Sequence, residues 1–209
     1  MNYTEIKNAA LSYSDRSESI SVSGMIDTFL KVVEARINRF LKTEGLTERA
    51  TITTVADQEY YAFPADFNGL VDIEIRADDA ARVRHTLIRM SKQHMNDYSG
   101  IALSNSNIYY DIVANQIQIM SPQDGLTLEV VYNKRVVPLT SIDIENVISI
   151  YDPDCYIFGL LVEISSYVKD IQATSLWDSR FKESLESIKT NDDMIKWSGP
   201  TLQIKTEAV

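Results

Sequence analysis

The spacing of apolar positions changes period twice along the chain. GMIDTFLKVVEARINRFLK, residues 24–42, places Met25, Ile26, Phe29, Leu30, Val33, Ile37, Phe40 and Leu41 on one helical face. Ser23 reads as its N-cap and Asp27 as a first-turn acid. Upstream, NYTEIKNAALSY has weaker helical spacing at Ile6, Ala10 and Leu11, and the serine-rich SDRSESISVS joins the two. From about residue 50 the period falls from 3.6 to 2. ATITTV, EYYAF, LVDIEI, HTLIRM, IYYDIV, QIQIM and TLEVVYNKRV read as short strands between turn-forming pieces, with a helical turn at SKQHMNDY. Past Pro138 the helical period returns. Ile157, Leu160, Leu161, Ile164, Tyr167 and Val168 follow a start at Asp152-Pro153, and Leu176, Trp177, Phe181, Leu185 and Ile188 mark a final helix.

The order helices, strands, helices predicts an α+β protein. An amphipathic helix cannot bury its stripe alone, so the N- and C-terminal pairs are expected to form a four-helix-type bundle with an inserted antiparallel β block. The expected division is a discontinuous helical bundle at 1–49 and 150–198, a β insertion at 50–149 and an extended C-terminal arm at 199–209. In the arm, Gly199-Pro200 stops the helix, and Leu202 and Ile204 alternate with Gln203 and Lys205 at strand period.

EYYAFPADFNGLVDIEI, residues 59–75, predicts a rigid corner between two strands. Pro64 has no N–H and a fixed φ, so the chain must bend there. Asp66 is suited to accept from backbone N–H groups, and Asn68-Gly69 tolerates positive φ. Tyr61 or Phe63, together with Phe67, is expected inside the β block.

Composition narrows the chemistry. Thirty acidic against twenty basic residues give a net charge of −10, which disfavours gripping nucleic acid or an anionic membrane. Cys155 is the only cysteine, so no intrachain disulfide is expected and the thiol reads as packed. The N-terminus lacks the basic start and apolar run of a signal peptide, and YIFGLLVEISSYV is short and contains Glu163. A soluble protein is expected.

Seven scattered glycines leave no place for a phosphate loop. His85 and His94, nine residues apart with no nearby cysteine, do not form a closely spaced metal set, and neither sits in a triad context. Asp78-Asp79, Asp152/Asp154 and Asp192-Asp193 fall at turns and helix ends, where acids cap and solvate. No catalytic, cofactor or metal residues are expected, and no enzyme.

ATITTVADQEYYAFPADFNGLVDIEI resembles a segment of bacteriophage head-to-tail connector adaptor proteins, in which a strand, a Q-x-Y-x-L-P-x-D-F corner and a second strand follow a long amphipathic helix. YYDIVANQIQIMSP, LEVVYNKRVVPL and DPDCYIFGLLVEISSYVKD with ATSLWDSRFKESL match further family segments in the same order, over roughly residues 25–190. Phe63 replaces the more usual leucine, and the stretch before IYYDI is rich in Ser and Asn. The resemblance implies a virion structural protein at the head–tail junction, assembled in the host cytoplasm. It implies a homo-oligomeric ring, twelve copies in relatives, under the portal, with a tail or nozzle protein docked beyond it. DNA would pass through the channel without specific binding, and no membrane is involved. In relatives the C-terminal segment tends to reach the portal, which makes Leu202 and Ile204 the expected portal contacts.

The alternative is a carbohydrate-binding or host-recognition β module of a phage, with Tyr60, Tyr61, Tyr109 and Tyr110 as stacking residues. Adjacent tyrosines on a strand point to opposite faces, so one of each pair belongs to the core. A cryptic hydrolase would need an acid such as Asp66 or Asp111.

Overall fold

The computed structural model describes residues 1–16, 19–78, 83–97, 108–120, 124–142 and 144–197. The protein is α+β, with six helices and two sheets among the described residues. It divides into two compact units, Met1–Gly45 with Val136–Val209, and Leu46–Arg135.

The first unit is helical. Its elements are α1 (Tyr3–Tyr13), α2 (Ile20–Phe40), α4 (Val147–Tyr151), α5 (Pro153–Tyr167) and α6 (Ile171–Trp197). α1 opens on a capping box in which Asn2 and Glu5 satisfy each other's backbone N–H groups. α2 starts a turn before the expected site: Ser19, not Ser23, is its N-cap, because Val22 joins Ile26 in the buried stripe. Asp27 therefore lies beyond the first turn, where its carboxylate accepts from the Tyr3 hydroxyl. Pro153 opens α5 at a position where its missing N–H costs nothing.

α5 holds the unit together. Cys155, Tyr156, Gly159, Leu160, Leu161, Val162 and Ile164 are all buried, and α1, α2, α4 and α6 each pack on it. A helix apolar on most sides belongs inside. Gly159 marks the tightest approach, since a Cβ there would lie 2.6 Å from Val33 Cγ1.

The second unit holds eight strands: β1 (Thr47–Thr53), β2 (Tyr60–Ala62), β3 (Phe67–Asp78), β4 (Val83–Thr86), β5 (Ile88–Arg89), β6 (Tyr109–Val113), β7 (Gln116–Ile119) and β8 (Thr127–Lys134). α3 (Lys92–Asp97) supplies the expected helical turn. The strands form two four-stranded sheets, ordered β1-β8-β3-β4 and β2-β7-β6-β5. Alternate residues from both enter one core: Ile73, Ile75, Leu128, Val130 and Tyr132 from the first, Tyr61, Ile117 and Ile119 from the second.

Two expectations are corrected here. The β block is not wholly antiparallel, because β5 runs parallel to β6, with Ile88 opposite Tyr109. The connection between them, through α3, is long enough for the crossover that a parallel pair needs. Residues 136–149, expected at the end of the β insertion, lie in the helical unit, because side chains of α2 bind their backbone: Val136 N–H donates to Asn38 Oδ1 at 2.8 Å and Leu139 N–H to Glu34 Oε1 at 2.6 Å.

Candidate functional site

The sandwich corner is built from the residues that bracket Pro64. Phe67 N–H donates to the Pro64 carbonyl at 3.1 Å, closing a tight turn. Phe63 and Phe67 stack at 3.8 Å with planes 15° apart, and Phe67 meets the Tyr132 ring at 5.9 Å. The Tyr132 hydroxyl donates to Asp66 Oδ1 at 3.0 Å, and Arg135 N–H donates to the Asp66 carbonyl at 2.7 Å. Burial, reinforced by the Asp66 carboxylate, pushes the Tyr132 phenol up to about 12. Tyr61 is buried and its hydroxyl bridges Val55 N–H and C=O at 3.0 and 3.2 Å. Asp66 thus holds the corner through its Oδ1 and its backbone carbonyl.

A second polar constellation lies in the helical unit. Asn146 caps α4 through the Ser149 N–H at 2.9 Å, and its Nδ2 donates to the Val137 carbonyl and the Tyr156 hydroxyl, both at 2.7 Å. With Glu34 and Asn38, it fixes the path of residues 136–146 and so the position of α4. Burial pushes Glu34 up to about 7, against the lowering effects of the Leu139 N–H and of Lys31.

What this framework holds up is apolar. Ile148 and Ser149 point inward, while Val147, Ile150 and Tyr151 form the outer stripe of α4 at i, i+3 and i+4. Tyr151 is 77% exposed and Ile142, just upstream, 87% exposed. These side chains leave a run of apolar surface facing solvent.

Chemistry is sparse by comparison. Among the described residues no group of three or more His, Cys, Asp and Glu is placed to hold a metal. Glu129, buried on the outer face of its sheet, is held between Arg49 at 2.9 Å on β1 and Arg76 at 2.8 Å on β3. Such a clamp joins three strands. Cys155 is fully buried, and desolvation pushes its thiol up to about 12, which makes it a poor nucleophile. Asp111 accepts from Arg89 Nε at 3.3 Å and from the Lys92 N–H at 3.1 Å, pinning the start of α3.

The model of the SU10 adaptor protein family matches residues 1–203. The chain belongs to that family. The resemblance to phage head-to-tail adaptors, read on four segments, extends over nearly its whole length. Membership makes it a bacteriophage structural adaptor and a virion component. No curated protein matches the chain. No helix among the described residues is long and apolar enough to cross a membrane.

For a member of this family the expected residues fall into three groups. Tyr61, Phe63, Pro64, Asp66 and Phe67 come together in the corner, where Tyr132 joins them. Leu202 and Ile204, with the whole 199–209 arm, lie outside the described residues. Of the stacking tyrosines, Tyr61 is buried and Tyr110 packs against the core, while Tyr60 and Tyr109 fall on the opposite face of their sheet, flanking the Gln118–Asp111 register pair. Glu34, Asn38, Asn146 and the α4 stripe escaped the sequence reading. Their signal was the surplus of apolar residues between 142 and 151, more than the inner face of a five-residue helix can hide.

Proposed function

We propose that this chain forms a ring between the portal and the tail at the capsid vertex, leaving a channel for DNA. The observation that carries the reading is the family match over residues 1–203. Two structural features support it. α1, α2, α4 and α6 all pack on α5, giving a compact helical unit of the kind that can repeat around a ring. The α4 stripe offers that body an apolar surface for contact with another chain.

In this reading the helical unit builds the ring and the sandwich of residues 46–135 serves the tail side. The arm, residues 199–209, docks on the portal through Leu202 and Ile204, adding main-chain hydrogen bonds to a partner's sheet edge. Partners are further copies of the chain, twelve by analogy with relatives, the portal, and a tail or nozzle protein. The net charge of −10 suits a channel wall that gives passing DNA little to hold. The protein acts at the head–tail junction after assembly in the host cytoplasm, and its role is structural, not catalytic.

Co-sedimentation with the portal tests this. The full chain is expected to travel with the portal, and a chain ending at Ser198 to do so weakly while melting at the same temperature. Full-strength binding by the shortened chain would remove Leu202 and Ile204 from the portal contact.

A further inference from the structure

The sheet β2-β7-β6-β5 has two faces, and one of them enters the sandwich core. On β7, Ile117 and Ile119 are fully buried and point inward, so Gln118 between them belongs to the outer face. Tyr60 on β2 and Asp111 on β6 are its register partners and share that face. Tyr109, two residues before Asp111, does so too, with Ile88 of β5 opposite it. Strands about 4.8 Å apart, with about 3.4 Å per residue along them, put Tyr60 and Tyr109 about 12 Å from each other, diagonally across Gln118.

Gln118 sets this face apart. Although it lies on the outer side of the sheet, it is only 5% exposed. Its Nε2 donates to Glu59 Oε2 at 3.1 Å, and because an ionised carboxylate can only accept, the amide is oriented with Oε1 as its free end. That oxygen is buried and accepts no hydrogen bond among the described residues. A buried acceptor without a donor costs free energy, which a donor brought from outside would recover. Asp111 beside it is fixed in place: Oδ1 accepts from Arg89 Nε at 3.3 Å and Oδ2 from the Lys92 N–H at 3.1 Å. Each of its oxygens has capacity for one more donor.

The chemistry of the face narrows its ligand. Two tyrosine rings offer apolar surfaces, and an amide oxygen and a carboxylate between them ask for donors. A body that presents C–H surface and several hydroxyl groups together answers both demands, which is the character of a pyranose ring. Anionic groups are disfavoured, since Glu59 and Asp111 are acidic and Arg89, the basic side chain beside them, is already turned to Asp111. A proline-rich peptide would also stack on the tyrosines, but proline carries no N–H to give to Gln118. The span of about 12 Å suits a short chain of rings rather than a single one.

We propose that the outer face of this sheet binds a neutral oligosaccharide, with Tyr60 and Tyr109 stacked on rings at its two ends and a hydroxyl between them donating to Gln118 Oε1. Asp111 takes a further hydroxyl. The amide oxygen is closed off in the free chain, so binding turns the part-exposed Tyr60 ring aside, a side-chain motion that needs no change of backbone. Such a site goes beyond the adaptor reading and does not depend on it.

The test applies the full chain to an array of neutral hexose and N-acetylhexosamine oligosaccharides and titrates the strongest binder by calorimetry. The wild type is expected to bind, and Tyr60→Ala, Tyr109→Ala and Gln118→Leu each to weaken the titrated affinity by about tenfold. Gln118→Leu separates binding from folding. It removes an unpaired polar atom from a buried position, so its melting temperature is expected to hold or rise while binding falls. An array with no binder, binding indifferent to all three substitutions, or capture of a polyproline peptide in place of the sugars would overturn the proposal. Binding of the wild type to the portal, measured separately, decides the adaptor reading whatever the outcome here.

Discussion

Glu34 and Leu139, 105 residues apart in sequence, are joined by a 2.6 Å hydrogen bond from the Leu139 N–H to a buried carboxyl oxygen. The bond anchors the stretch that positions α4, and it does so with a group whose charge is costly where it sits. Burial lifts Glu34 from the ordinary 4.5 to about 7. Between those values the folded chain holds a proton that the unfolded chain has released, so stability falls as pH rises from about 4.5 to 7 and is flat above. Glu34→Gln keeps an acceptor and removes the titration. Denaturant melts across that window are expected to find the variant gaining on the wild type by something on the order of 3 kcal/mol from the acid to the alkaline end. Parallel pH profiles would show that Glu34 does not carry this linkage.

At Gly159 the packing of α5 against α2 and α6 leaves no room for a methyl group. A Cβ would meet Val33 Cγ1 at 2.6 Å and Phe181 Cε2 at 3.1 Å, with Val33 itself fully buried. Overpacking of this kind costs about 1–3 kcal/mol, against a helix-propensity gain of about 1 kcal/mol for alanine over glycine. Gly159→Ala is therefore expected to lower the melting temperature. Adding Val33→Ala should recover part of the loss relative to Val33→Ala alone, which a double-mutant cycle reads directly.

The corner offers a sharper contrast. Phe63 is buried and stacked on the half-buried Phe67, so Phe63→Ala should cost about 3–5 kcal/mol and Phe67→Ala somewhat less. Tyr132→Phe removes only the hydroxyl donated to Asp66 and is expected to cost about 1–3 kcal/mol. Chemical denaturation of the three variants gives the order. A Phe63→Ala protein as stable as the wild type would mean the stack does not hold the corner.

The sandwich should be separable from the helices. Thr47 and Asn133 are register partners on β1 and β8, so the two ends of residues 46–135 leave side by side, about 5 Å apart. Replacing Leu46–Arg135 with a short glycine linker is expected to leave a helical protein that still binds the portal and has lost tail attachment. The reverse pattern, tail binding kept and portal binding lost, would exchange the roles of the two units.

Much of this architecture was legible in local pattern because local pattern reports burial on one face. The α2 stripe from Ile26 to Ile37, the alternation of β7 and β8, and the bend at Pro64 are all written in neighbouring residues. What escaped depends on distant partners. Ser23 and Ser19 look alike as caps, and only the burial of Val22 decides between them. α5 reads as one more amphipathic helix until α1, α2, α4 and α6 are seen around it. The parallel pairing of β5 with β6, and the reach of Tyr132 to Asp66 and of Asn146 to Tyr156, join segments whose spacing carries no periodic signal. The α4 stripe was the least legible part, since an apolar residue that faces solvent has the same composition as one that faces the core.

Electron microscopy of the chain purified together with its portal tests the central claim most directly. The account predicts a closed ring of copies seated coaxially on the portal, with an open channel through both. Portal particles carrying no added ring, in the presence of excess folded chain, would contradict it.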